Sequence, residues 1–113
     1  EVNPIDKLLE KNPNALSGGA MTIILNSPKN GDFISQNMTV NAKIISMDNI
    51  TKVEVYLNDK LVPQNTTSIV KSGNEYHYFS NFSPSGLELQ NKLKIRVENT
   101  KNSIVEKEII LFK

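Results

Sequence analysis

The sequence predicts an all-β fold, an antiparallel sandwich of about seven strands, and three observations lead to this prediction. Apolar and polar residues alternate in several short segments between residues 21 and 113. Clusters of Pro, Gly, Asn and Ser separate these segments at the spacing of about 8–12 residues that is typical of sandwiches. The chain has 113 residues and no cysteine, and a chain of this length buries enough apolar surface to fold without disulfide bonds or a structural metal.

The first 20 residues differ from the rest in pattern. Asn3 is suited to cap a short helix in which Leu8 and Leu9 lie on one face, and a Ser-Gly-Gly connector follows it. We therefore expect residues 1–20 to be a short helix and a linker from an upstream domain, and residues 21–113 to be the sandwich.

Alternation identifies the strands of the first half and the penultimate strand. Each of these strands has one apolar and one polar face, as expected of half-buried antiparallel strands. The clearest examples are residues 38–44, 53–57 and 93–97, preceded by a strand-like run at 21–25. In the segment 38–44, the side chains at 38, 40, 42 and 44 are predicted to face the core. A turn that contains Pro28 and the pair Asn30-Gly31 ends the run at 21–25.

The second half contains more turns. Asn58 and Asp59 both tolerate a positive φ, which favours a hairpin there. Residues 66–70 are a plausible edge strand and residues 104–112 the last strand, whereas residues 76–79 carry rings on both faces, so alternation does not assign their inner side. Turns are predicted at residues 72–74, 83–86 and 100–103.

Composition excludes several classes of function. Thirteen basic and twelve acidic residues leave a formal net charge of +1, which argues against a nucleic-acid partner. One histidine and no cysteine exclude thiol catalysis and zinc sites built from Cys or several His. No apolar run is long enough to span a bilayer. We expect neither a metal nor a cofactor, and no transmembrane segment in this chain.

Four residues are the candidates for a binding site: Tyr56, Tyr76, His77 and Tyr78. Exposed rings can stack on sugars, although aromatic residues are also favoured in strands for packing alone. A catalytic His77 would need a nucleophile and an orienting group, which its sequence neighbours do not supply.

Charged residues near turns have simpler interpretations than metal binding. Asp32, Asp48 and Asp59 lack the close carboxylate series that calcium sites use, so each is expected to stabilise its own turn. Glu54 is expected to pair with Lys94 or Arg96 if their strands are neighbours.

The segments 26–31 (NSPKNG), 40–42 (VNA) and 50–61 (ITKVEVYLNDKL) resemble bacterial immunoglobulin-like domains. The resemblance covers residues 21–113 and implies an immunoglobulin-like sandwich. Its motifs mark the fold rather than an activity. Asp59 stands where the family often has glycine, and the penultimate strand ends at Val97-Glu98-Asn99-Thr100 without the usual glycine turn.

The resemblance implies a non-catalytic, extracytoplasmic module at the cell surface or cell wall. Such domains are appended to penicillin-binding proteins, glycoside hydrolases and adhesins. The leading hypothesis is a spacer that positions a neighbouring, cell-wall-active domain. The alternative is a module that binds cell-wall glycan or a surface protein through the aromatic residues, and a small enzyme built around His77 is a third.

Overall fold

A computed structural model describes residues 20–64 and 66–113, and in these residues the chain forms eight β-strands. The predicted helix and linker at residues 1–20 lie, apart from Ala20, outside the described residues. The strands are β1 Met21–Ser27, β2 Met38–Ser46, β3 Ile50–Leu57, β4 Lys60–Leu61, β5 Thr66–Ser72, β6 Glu75–Phe82, β7 Gln90–Asn99 and β8 Ile104–Phe112.

The strands form two four-stranded sheets, in which all neighbours are antiparallel. One sheet has the order β1-β2-β6-β5 and the other β4-β3-β7-β8. The chain changes sheets after β2, after β4 and after β6, and hairpins join β3 to β4, β5 to β6 and β7 to β8. This arrangement confirms the predicted immunoglobulin-like β-sandwich.

The core lies between the two sheets and follows the predicted alternation. In β2, the side chains of Met38, Val40, Ala42 and Ile44 are buried, while Asn41 is exposed. Strands β3 and β7 meet them from the opposite sheet with a second row of buried apolar residues: Val55, Leu57, Leu93, Ile95 and Val97.

Strand β6 is the element that alternation left undecided, and the structure resolves it. Tyr76, Tyr78 and Phe82 face the core, whereas His77 and Phe79 face solvent. The reason is the pairing with β2, in which Tyr78 lies opposite the inward Ala42. Paired residues of neighbouring strands share a face, so β2 fixes the inner side of β6.

Two of the hairpins rely on residues with positive φ. Asn58 and Asp59 have φ values of 52° and 67°, as a two-residue type I′ turn requires, which confirms the predicted β3–β4 hairpin. Gly73 has φ 62° as the first of the two residues that join β5 to β6. Glycine at that position is the signature of a type II′ turn.

The segment between β1 and β2 crosses to the other sheet and covers the end of β8. Gly31 N donates to Ile110 O at 2.7 Å, and Ile34 N donates to Phe112 O at 2.8 Å. Asp32 stabilises this turn, because its Oδ2 accepts a hydrogen bond from Lys29 N at 2.8 Å. The segment thus satisfies backbone groups of β8 that would otherwise form an open edge.

The inward assignment of β2 can be tested with two adjacent substitutions. Ala42→Asp places a carboxylate at a position that is 1% exposed, and we expect it to cost more than about 4 kcal/mol and to unfold the domain. Asn41→Asp, on the exposed face, should stay within about 0.5 kcal/mol of the parent. Urea unfolding followed by circular dichroism measures both. Equal effects would show that the faces of β2 are misassigned.

Candidate functional site

The four candidate residues do not share one surface. Tyr76 and Tyr78 point into the core and are only 6% and 2% exposed. His77 lies between them on the outer face of the same strand, and Tyr56 lies on β3 in the opposite sheet. The structure therefore does not bring these rings together as an exposed stacking platform.

Each of the three tyrosines is engaged within the domain itself. The Tyr76 hydroxyl donates to Asn49 Oδ1 at 3.0 Å. Lys94 Nζ lies 5.0 Å from the centroid of the Tyr56 ring, which is a cation–π contact. Burial raises the pKa of the Tyr78 phenol, as expected where the phenolate would be poorly solvated.

His77 is exposed on the outer face of the first sheet. Its cross-strand neighbours are Lys43 on β2 and Val70 on β5. Lys43 is itself paired with Glu75, with a distance of 3.3 Å between Nζ and Oε1. A histidine base requires a hydroxyl or thiol nucleophile within hydrogen-bond reach, and these two neighbours do not provide one.

The outer face of the second sheet carries a network of alternating charges. Arg96 Nη1 lies 3.1 Å from Glu54 Oε1, which confirms the predicted pairing, and Arg96 Nε lies 3.8 Å from Glu106 Oε2. Lys94 Nζ lies 3.5 Å from the same Glu106 oxygen. Because the two signs neutralise each other locally, this face has no continuous basic stripe of the kind that binds phosphates.

A polar cleft of about 640 Å³ opens at the end of the sandwich where β3 turns into β4 and the chain enters β7. Its wall is organised by Asn91, which is buried. Asn91 Oδ1 accepts from Glu88 N at 2.8 Å and from Asn58 Nδ2 at 2.9 Å, while its Nδ2 donates to Glu88 O at 2.7 Å. Asn58 Oδ1 in turn accepts from Lys92 N at 2.9 Å. The network ties the β3–β4 turn to the start of β7.

Asp59 and Lys92 form an ion pair at the mouth of this cleft, with 2.8 Å between Oδ1 and Nζ. The hydrogen bond and the charge of Lys92 lower the pKa of Asp59 below 3.8, and Asp59 raises the pKa of Lys92. Within residues 20–64 and 66–113, no three His, Cys, Asp or Glu side chains are grouped closely enough to hold a metal ion. The same part of the chain has no helix with the length and hydropathy of a membrane span.

A family model described as "Bacterial Ig domain" matches residues 22–92 of the chain. The chain belongs to this family of bacterial Ig domains. No curated protein matches it.

Solved structures similar to this Ig domain include two from C. elegans. One is a twitchin kinase fragment described as an autoregulated protein kinase with immunoglobulin domains, with 18% sequence identity and a TM-score of 0.49. The other is the twitchin kinase region, with 17% identity and a TM-score of 0.43. The matches cover 83% and 80% of this chain, which spans 20% and 16% of those chains.

Sequence reasoning did not single out the asparagines that organise the cleft of this Ig domain. The sequence predicts Asn58 only as a hairpin residue, for its backbone tolerance, whereas its side chain also bonds to β7. Asn91 is not among the predicted site residues. The available signal is that Asn91 occupies the first inward position of an otherwise apolar alternation through Leu93, Ile95 and Val97. A polar residue at an inward position requires a partner.

The Asn91 network predicts a large stability effect for a small substitution. Asn91→Ala leaves the Glu88 backbone N–H and C=O and the Asn58 amide without their partner, and we expect a loss of about 2–4 kcal/mol. Asn41→Ala, an exposed asparagine on a strand, is the matched control and should change stability by less than about 0.5 kcal/mol. Equal losses in urea unfolding would contradict a structural role for the network.

The Asp59–Lys92 pair predicts a pH dependence with a definite sign. Because the folded-state pKa of Asp59 is lowered, its stabilisation is present above the unfolded-state value of about 3.9 and is lost as pH falls through the lower folded value. Lys92→Met keeps the aliphatic stem and removes the charge, so the Asp59 pKa should rise towards 3.8. NMR titration of the carboxyl measures this. An unchanged pKa in the variant would show that Lys92 is not the cause.

Proposed function

We propose that this Ig domain is a non-catalytic spacer in a larger bacterial cell-envelope protein, where it holds a neighbouring, cell-wall-active domain at a fixed distance. Membership of the bacterial Ig family supports an Ig module of this kind. The extracytoplasmic location, at the cell surface or cell wall, is part of the proposal.

The observation that carries the proposal is the placement of the first and last strands. Met21 begins β1 in register with Ser46, at the end of the sandwich where β2 passes to β3. Phe112 ends β8 in register with Gln90, at the opposite end, where the chain enters β7. The domain is therefore entered at one end and left at the other, as a spacer between serial neighbours requires.

The length of this spacer is set by strands that are packed along their whole length. Strands of nine or ten residues, as in β7 and β8, span about 30 Å at about 3.3 Å per residue. The inward side chains of β7 are fully buried at Leu93, Ile95 and Val97. A close-packed core of this type resists bending, so the separation of the two ends is fixed by the fold rather than by a ligand.

A domain swap in the protein that contains this chain tests the spacer role. Residues 21–113 are replaced either by an unrelated Ig sandwich with the same end-to-end geometry or by a Gly/Ser linker. We expect the sandwich to retain the neighbouring domain's activity on the cell wall of intact cells, and the linker to lose most of it, because only the sandwich fixes the distance.

Failure of the replacement sandwich would contradict a purely positional role. An NMR titration of this domain with peptidoglycan fragments supplies the matched measurement. The spacer proposal expects no saturable shifts, and saturable shifts confined to one face would assign that face to glycan binding instead.

A further inference from the structure

The described strands leave four outer sheet edges, and three of them are protected against pairing with another chain. β1 has a register shift between Leu25 and Ser27 and packs against β8 of the other sheet. β4 has only two residues. β8 carries Glu106, Lys107 and Glu108 in its middle, and residues 30–34 cover its end. Interrupted, short, charged and covered edges are the usual devices that prevent strand addition.

β5 is the edge on which none of these devices operates. It is seven residues long, and every one of its residues is exposed. Its sequence, TTSIVKS, is rich in β-branched residues and contains a single charge, Lys71. Ile69 and Val70 remain 46% and 58% exposed. β5 is therefore a regular edge strand with exposed apolar side chains, and edges of this kind pair with a strand of another chain.

The one charge of β5 is directed back onto its own domain. Lys71 Nζ lies 2.8 Å from Asn49 Oδ1 and 5.6 Å from the centroid of the Tyr76 ring. The same Asn49 oxygen accepts the Tyr76 hydroxyl. Lys71 is thus engaged beside β6 rather than extended across the open edge, so it does not screen that edge.

Hairpin geometry identifies the backbone groups that face outward. Ser72 and Glu75 close the two-residue β5–β6 turn, so they form a hydrogen-bonded pair. Since bonded and non-bonded pairs alternate in antiparallel strands, the backbone groups of Thr67, Ile69 and Lys71 point away from β6. The hydrogen bond from Ser46 N to Asn74 O at 2.9 Å, on the β2 side of β6, fits the same alternation of bonded and non-bonded pairs.

We propose that β5 pairs with β5 of a second copy of this chain, antiparallel, about a twofold axis at Ile69. In this register Ile69 faces Ile69 of the second copy, and Thr67 faces Lys71. Each residue whose backbone groups point away from β6 then lies opposite a residue of the second copy whose backbone groups do the same. The hydrogen-bonding pattern of antiparallel strands requires this match. The interface is self-complementary, as twofold symmetry demands.

Charge repulsion favours this register over one in which the two Lys71 side chains lie opposite each other. The two Lys71 residues are displaced along the strands by four residues, about 13 Å, which exceeds the screening length of about 8 Å at physiological ionic strength. Each lysine faces the uncharged Thr67 instead. The joined sheets form one eight-stranded sheet across the axis.

The proposed interface is small, so we expect a low affinity between the two copies. A seven-residue strand is about 23 Å long, so the edge buries less than the roughly 800 Å² per partner of a standard stable interface. The dimer is therefore weak and dependent on concentration.

Residue-specific amide exchange of the 113-residue chain tests the pairing. NMR spectra are compared at about 20 µM and about 1 mM, with the mass measured by sedimentation at both concentrations. We expect the amides of Thr67, Ile69 and Lys71 to become protected only at the higher concentration. The amides of Ser68 and Val70, already bonded to β6, should not change. A monomer at both concentrations, or new protection on β1 or β8 instead, would overturn the proposal.

A pair of opposite substitutions tests the register. Thr67→Glu faces Lys71 of the second copy and should tighten dimerisation by roughly fivefold, whereas Thr67→Lys should weaken it by a similar factor. The same two changes at Thr39, exposed on the internal strand β2, are the matched controls for net charge. Equal effects at Thr67 and Thr39 would overturn the register.

Circular dichroism establishes that the variants fold. If a Thr67 variant fails to fold, the exchange experiment on the unmodified chain decides the proposal alone. Protection of the outward amides by an added extended peptide of unrelated sequence, without self-association of the chain, would assign the edge to another partner and overturn the second copy as its occupant.

Discussion

Apolar packing between the inward rows of the two sheets is the interaction on which the rest of this domain depends. Val40 and Ile44 on one side and Leu93, Ile95 and Val97 on the other have no solvent exposure. The chain has no cysteine, so apolar packing alone holds the two layers together. Because side chains alternate with a period of two, burying these rows also fixes which residues face outward on both sheets.

That constraint explains why the candidate rings are separated. Tyr78 pairs with Ala42 across β2 and β6, so it must enter the core when Ala42 does. His77, one residue earlier, must then face solvent. Tyr56 is on the outer face of the opposite sheet, where Lys94 covers its ring. Exposing Tyr76 and Tyr78 would require β6 to slip by one residue, which would also expose Phe82 and bury His77. Tyr56 would still lie on the other sheet.

The sequence predicts the strands whose two faces differ in polarity. It does not predict features that depend on contacts between residues far apart in the chain. Alternation identified β2, β3 and β7 directly. It could not orient β6, since both faces carry rings and only the pairing with β2 decides between them. The covering of β8 is equally non-local, because Ile110 N bonds to Asn30 Oδ1 across 80 positions. The Asn91 network is non-local for the same reason, since its partner Asn58 lies in the β3–β4 turn, 33 positions away.

Asparagine performs in this domain the structural role that glycine has in many β-sandwich turns. The β7–β8 turn lacks glycine, yet Asn102 adopts φ 60°, and Asn99 Oδ1 accepts hydrogen bonds from Lys101 N at 3.0 Å and Ser103 N at 3.1 Å. Asparagine tolerates the left-handed region and, unlike glycine, also brings a side chain that bonds the turn. Asn58 combines the same two properties at the opposite end, with φ 52° and a bond to Asn91. These asparagines therefore form the turns without glycine, and they add side-chain hydrogen bonds at both ends of the sandwich.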